Sequence, residues 1–234
     1  MAIRLRRFMG SAHWKSKAFW LRAAMSFAFR LACYDAMVFM ALCAESRAAP
    51  TLPDVVLNVV PYVEWVSRYN YLLWLAAYLP IAVLLLFADG PRFIRYMVTS
   101  GLLALLRGVC IWVTGLGPVH GPDSHAGMSA DQRWAAFTQL VTPRGFFDTD
   151  AGARIYLTKD LFFSGHTATT FLLLLYVWPW PKLRWPMLAA HVLVVLSVFF
   201  AHLHYTIDVI GAYAVTFAVF ALREWKVKEL LSRF

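Results

Sequence analysis

Apolar residues gather along this chain in six long blocks, at about 19–43, 69–88, 93–116, 164–180, 186–203 and 205–222, and polar residues crowd the gaps. A helix needs about 20 largely apolar residues to cross the hydrocarbon core of a bilayer. The pattern therefore predicts an all-α polytopic membrane protein, a six-transmembrane-helix bundle over residues 19–222 with short basic segments at 1–18 and 223–234. The first block is the least uniform, because it carries Arg22, Arg30 and Asp35. Arg22 can reach the interface along its aliphatic stem, whereas Arg30 and Asp35 are expected to face protein or each other. A basic start before an apolar run also resembles a secretory signal, with small residues around Ala41–Ala44, but the run is too long and too charged for one.

Composition supports the same class. Hydrophobic residues make up 61% of the 234 and charged residues 15%, against roughly half and a quarter in soluble chains. The net charge of +9 is spread in short blocks between apolar runs, which fits juxtamembrane cations rather than a nucleic-acid surface. Arg4, Arg6, Arg7, Lys15, Lys17, Arg92, Lys182, Arg184, Arg223, Lys226, Lys228 and Arg233 fall on one set of connections. The longer opposite loops, about 44–68 and 117–163, hold Arg47, Arg68, Arg133, Arg144, Arg154 and Lys159. This asymmetry predicts cytoplasmic termini and puts the 117–163 loop on the other side. Ser129 and Gln132 have capping-box spacing, and Trp134, Phe137, Leu140 and Val141 share one side of the helix that would follow. That helix is expected either to lie in the membrane interface or to pack on the bundle. Cys33, Cys43 and Cys110 sit in apolar stretches without zinc-ligand spacing and are read as small buried hydrophobes.

Two short segments carry chemistry. Asp160-x3-Ser164–Gly165–His166–Thr167 opens the fourth block, and His204–Tyr205–Thr206-x-Asp208 opens the sixth. Unpaired N–H groups at a helix start form an anion site; Gly165 lets the backbone approach a phosphate closely, and Ser164 and Thr167 add hydroxyls. His204 and Asp208 are one helical turn apart and can share a face. A carboxylate there fixes the imidazole tautomer and favours the imidazolium, and an ionisable pair at membrane depth is costly enough to point to function. With six spans, His166 and His204 reach the same non-cytoplasmic surface. His202, His204 and Asp208 could alternatively form a facial metal site, though no further acidic ligands accompany them. His13, His120, His125 and His191 lack such a setting.

In these blocks the chain resembles the sphingomyelin synthase family, the lipid phosphotransferase branch of the phosphatidic-acid phosphatase type 2 superfamily. Leu52–Pro53–Asp54 is similar to a Pro-Leu-Pro-Asp element without its first proline. Arg107–Gly–Val–Cys–Ile–Trp–Val–Thr114 with Pro118 is similar to an Arg-containing third helix, and the two histidine segments, the second extended to Tyr213, resemble the last two family blocks. Thr158 and Lys159 replace the Cys-Gly that precedes the family's aspartate, and Gly115–Leu116–Gly117–Pro118 loosens its Leu-Pro element.

The resemblance implies a metal-free, cofactor-free transfer of phosphocholine or phosphoethanolamine from a glycerophospholipid to ceramide or another lipid alcohol. His204 would attack phosphorus, Asp208 would orient it, and His166 would serve as acid and then base. Arg107 would contact the phosphate or else pair with Asp54 or Asp160, and Lys159, Asp160, Ser164, Gly165, Thr167 and Tyr205 would complete the binding site. The expected partners are the membrane and its two lipid substrates, not nucleic acid, in a form compatible with a homo-oligomer. A lipid phosphatase or phospholipase C-type hydrolase using the same residues is the alternative, and a non-catalytic lipid-binding protein is a third reading.

Overall fold

The computed structural model describes residues 16–142 and 157–226. The basic positions Arg4, Arg6, Arg7, Lys15, Arg144, Arg154, Lys228 and Arg233, and His13, lie outside the described residues. Within them the chain forms helices α1 (Lys17–Glu45), α2 (Val55–Val59), α3 (Glu64–Ala88), α4 (Gly90–Val113), α5 (Ala130–Val141), α6 (Gly165–Val177), α7 (Pro181–Phe200) and α8 (Thr206–Ala221). A π-helical turn, Leu222–Lys226, continues α8.

Among the described residues, five helices are long and apolar enough to cross a membrane: α1, α3, α4, α7 and α8 with its extension. The predicted fourth span is shorter than its apolar block. Ser164 caps α6 at one end, and α6 stops at Val177, just ahead of Trp178–Pro179–Trp180–Pro181. Proline disfavours helical backbone in the residue before it and supplies no N–H. Thirteen residues rise about 20 Å, short of the roughly 30 Å hydrocarbon core.

The bundle closes on two apolar clusters. The larger joins α3, α4, α6, α7 and α8 around Leu85, Tyr96, Phe163, Leu172, Tyr176 and Met187. The smaller joins α1, α4 and α5 through Met37, Leu42, Ile111 and Ala136. Close approach of α1 to α4 depends on small residues: a Cβ on Gly101 would stand 3.1 Å from Arg30 Cα, and one on Gly108 would stand 2.9 Å from Met37 Cα. Small residues let helices pack this closely in lipid, where apolar burial drives association little. Large apolar side chains such as Trp20, Phe27, Leu193, Ile210 and Phe217 point outward.

The capping box at α5 forms as its spacing predicts, with Ser129 N donating to Gln132 Oε1 at 2.8 Å and Gln132 N to Ser129 Oγ at 3.2 Å. The helix rests on α1, where Phe39 meets Trp134 and Phe137 at ring distances of 5.5 and 5.8 Å. Cys33 is buried and Cys43 and Cys110 are half-buried, all as free thiols. Arg30 does not pair with Asp35; its Nε donates to Ser100 Oγ on α4 at 3.0 Å.

Candidate active site

His166 and His204 arrive from different helices at one end of the bundle. Ser164 caps α6 with its hydroxyl, accepting from Thr167 N at 3.4 Å, and so fixes His166 in the first turn. His204 precedes α8, and Asp208 lies in the first turn of that helix. The two segments are stitched together directly, since Ser164 N donates to Asp208 O at 3.1 Å. The result is a His166–His204 ring distance of 6.4 Å.

His204 Nδ1 stands 3.6 Å from Asp208 Oδ2, both side chains being almost wholly buried. This is ion-pair range rather than a hydrogen bond; contacts of this kind often tighten only once substrate is bound. Asp208 Oδ2 accepts from Tyr205 N at 2.9 Å, so the backbone holds the carboxylate while its Oδ1 and His204 Nδ1 have no hydrogen-bond partner. His166 Nε2 lies 3.2 Å from Asn70 Nδ2 on α3, and Trp74, one turn along, packs edge-on against the same imidazole at 5.3 Å.

Arg107 is buried beneath this pair. Its Nε donates to Phe163 O at 2.5 Å, and its Nη2 donates to Asp160 Oδ2 at 3.0 Å and to Asp160 O. Of the two pairings open to Arg107, Asp160 is the one formed. Gly165 makes room for this contact: a Cβ there would stand 3.1 Å from Arg107 Cζ, and the guanidinium would have to give way slightly. The guanidinium thus ties the loop before α6 to α4 and lines the cavity.

Asp54 grips the other helix. Its carboxylate accepts from Thr206 N at 2.6 Å and Thr206 Oγ1 at 2.9 Å, as well as from Val56 N and Leu57 N. Burial pulls this carboxyl upward, but the donors from Thr206, Leu57 and Val56 outweigh it and hold it below the usual carboxylate range. Tyr205 completes the junction. Burial pushes its phenol above the ordinary value, so the hydroxyl keeps its proton. It donates to Gly117 O at 3.2 Å and accepts from Leu52 N at 3.0 Å. Leu52–Asp54, Gly117–Pro118 and Tyr205–Thr206 therefore meet behind His204, although they are far apart in sequence.

A cavity of about 620 Å³ opens among α1, α3, α4 and α6, and His166, His204, Arg107, Asp160 and Gly165 line it. The remaining predicted binding residues are not among its lining. Lys159 is buried, its Nζ against Asp123 Oδ1 at 2.5 Å and Arg47 O at 2.7 Å, while its backbone N–H meets the buried Glu45 carboxylate. Ser164 and Thr167 are buried in the start of α6, and Tyr205 is held in the loop junction. His202 turns away, its Nε2 2.9 Å from Val60 O. His191 links Thr170 and Tyr213, at 2.8 Å to each.

Asn70, Trp74 and Tyr34 also line the cavity, although no motif in the sequence marks them. Asn70 was the most visible of them, an amide at the edge of an apolar block. Nothing in one-dimensional spacing associates α3 with His166.

Comparison with known proteins places these residues in a family. Residues 159–225, which include both histidine segments, match the family model described as PAP2 superfamily C-terminal. The chain belongs to this superfamily, in its sphingomyelin synthase-like branch. It is 31% identical over 185 residues to human phosphatidylcholine:ceramide cholinephosphotransferase 2, covering 72% of this chain and 48% of that protein. It is 26% identical over 220 residues to human phosphatidylcholine:ceramide cholinephosphotransferase 1, covering 86% and 52%. It is also 27% identical over 193 residues to mouse sphingomyelin synthase-related protein 1, covering 75% and 38%. The chain spans about half or less of the length of these relatives.

Proposed function

We propose that this chain is an integral membrane lipid phosphotransferase, moving a phospho-head group from a glycerophospholipid to ceramide or another lipid alcohol. The carrying observation is the pair of histidines 6.4 Å apart on the wall of one cavity, one of them backed by a buried carboxylate. His204, with Nδ1 toward Asp208, is left with Nε2 to attack phosphorus. The P–O bond to diacylglycerol breaks as His166 gives that oxygen a proton. A phosphohistidine on His204 remains. The acceptor hydroxyl then loses its proton to His166 and attacks phosphorus, the P–N bond breaks, and His204 is regenerated. Asp208 orients His204 and stabilises its positive form. Arg107, with Asp160 beside it, presents a planar guanidinium suited to phosphate oxygens. Ser164, Thr167, Lys159 and Tyr205 act as positioning residues for the two loops.

In this proposal α6 completes a six-helix crossing, α5 lies at the membrane interface, both termini are cytoplasmic, and the site opens to the non-cytoplasmic leaflet. The distribution of Lys and Arg in the sequence supports that orientation. The names of the relatives support phosphatidylcholine as donor and ceramide as acceptor.

The test is to incubate purified protein with labelled phospholipid, with and without ceramide, and to resolve the products. A new phosphosphingolipid and diacylglycerol are expected. Release of free phospho-head group alone, unchanged by added ceramide, would replace the transferase with the hydrolase; an unaltered phospholipid pool would remove both.

A further inference from the structure

Arg107 and Arg30 both line the cavity, yet their surroundings differ. Arg107 is paired with Asp160, whereas among the described residues no carboxylate forms an ion pair with Arg30. Its hydrogen-bond partners are neutral: Ser100 Oγ at 3.0 Å from Nε, and the hydroxyl of Tyr78. A guanidinium has five N–H donors, and these partners leave some for a ligand. A cation held at membrane depth without a counter-charge is costly and marks a functional position by default.

The helices also give its depth. Ser100 and Arg107 both face the cavity from α4, seven residues or two turns apart, about 10 Å along the axis. Arg30, Tyr34 and Met37 line it from α1 at helical spacing. Arg30 is joined to Ser100, and Met37 meets Arg107, with Sδ 3.3 Å from Nη1. Arg30 therefore forms a lower rung and Arg107 an upper one, with Gly165 and the histidine pair above.

A phosphorus reacting at His204 occupies the upper rung. Below its phosphate, a diacyl phospholipid carries polar atoms only at its two ester linkages. We infer that Arg30 is a lipid-linkage site, whose guanidinium donates hydrogen bonds to the ester carbonyls of a diacyl phospholipid and so sets the depth at which the phosphate meets the histidines. The inference takes its ligand class from the lipid phosphotransferase reading, but it concerns binding and can fail separately.

The experiment compares dioleoyl phosphatidylcholine with its dialkyl ether analogue, which lacks both carbonyls and keeps the head group and chain length. Retention of each lipid by detergent-purified full-length protein is measured by native mass spectrometry. Wild type should retain the diacyl lipid about tenfold better, the equilibrium weight of one charge-assisted hydrogen bond. Arg30→Gln should retain the two lipids equally, and Arg30→Met, an apolar replacement that a membrane bundle tolerates, should do the same. His204→Ala should keep the diacyl preference while losing turnover, which separates this site from the chemistry. Equal retention of both lipids by wild type, or a preference that persists in Arg30→Gln or Arg30→Met, overturns the proposal.

Discussion

The two ends of the bundle surround their polar groups differently. At the end away from the histidines, Tyr176 OH donates to Glu224 Oε1 at 2.9 Å and lies 2.8 Å from Thr99 Oγ1, and Arg95 Nε meets the same carboxylate at 3.3 Å. Arg92 adds a bond to Tyr176 O and pairs with Asp89 at 3.0 Å. These groups answer one another, although Tyr96 OH and Arg223 Nε beside them have no hydrogen-bond partner. At the histidine end, His204 Nδ1, Asp208 Oδ1, Asn70 Oδ1 and Thr167 Oγ1 are buried without hydrogen-bond partners. An unanswered buried polar atom costs roughly 1–3 kcal/mol, and these gather around the two histidines, which supports the role proposed for this end. The first end ties helices together; at the second, the proposed reactive groups have donors and acceptors unused.

That contrast breaks most sharply at His204. His204→Ala should reduce lipid turnover by roughly a thousandfold or more and abolish the phospho-adduct seen by mass spectrometry, since no covalent intermediate can form. An adduct that persists in this variant, or one found on His166, would reverse the assigned roles. Asp208→Asn should come next, slowing turnover by about a hundredfold through loss of imidazole orientation, with lipid retention unchanged. A parallel loss of lipid retention would make Asp208 a structural residue.

Tyr176→Phe should have a contrary profile. It removes a buried hydroxyl from the Thr99–Glu224 network and should lower stability by about 1 kcal/mol, read as a drop in thermal midpoint, while turnover per folded molecule stays within about twofold. A large fall in turnover without loss of stability would erase the distinction between the ends.

The smallest effect concerns Asp54, which secures the start of α8 from outside the membrane-spanning helices. Its carboxyl lies below the usual range in the folded protein, so its stabilising contribution is complete above the unfolded aspartate value of about 4. That contribution is lost as pH falls from there through the folded value. Wild type should therefore lose stability on acidification more steeply than Asp54→Asn, as followed by thermal unfolding between neutral and acidic pH. Identical acid profiles would show that the Thr206 contacts are not carried by the ionised carboxylate.

Much of this was legible in one dimension, because apolar helices and the two histidine segments leave local signals. A long apolar block has one inexpensive conformation in lipid, with every backbone group bonded within the helix. Five such helices follow the blocks, and the α5 cap follows Ser129 and Gln132. His204 with Asp208, and Ser164 through Thr167, were visible because their partners lie within one turn. The family resemblance rested on the same local blocks.

Partnerships across the chain were not written in that way. The choice of Asp160 over Asp54 for Arg107, the use of Asp54 to hold Thr206, the burial of Lys159 against Asp123, and the approach of Asn70 to His166 all join residues from separate helices and loops. Sequence determined which segments become helices and which ionisable groups enter the bilayer with them. Only tertiary packing decided which charges are neutralised and which face the cavity, because pairing energy depends on separation and burial in space.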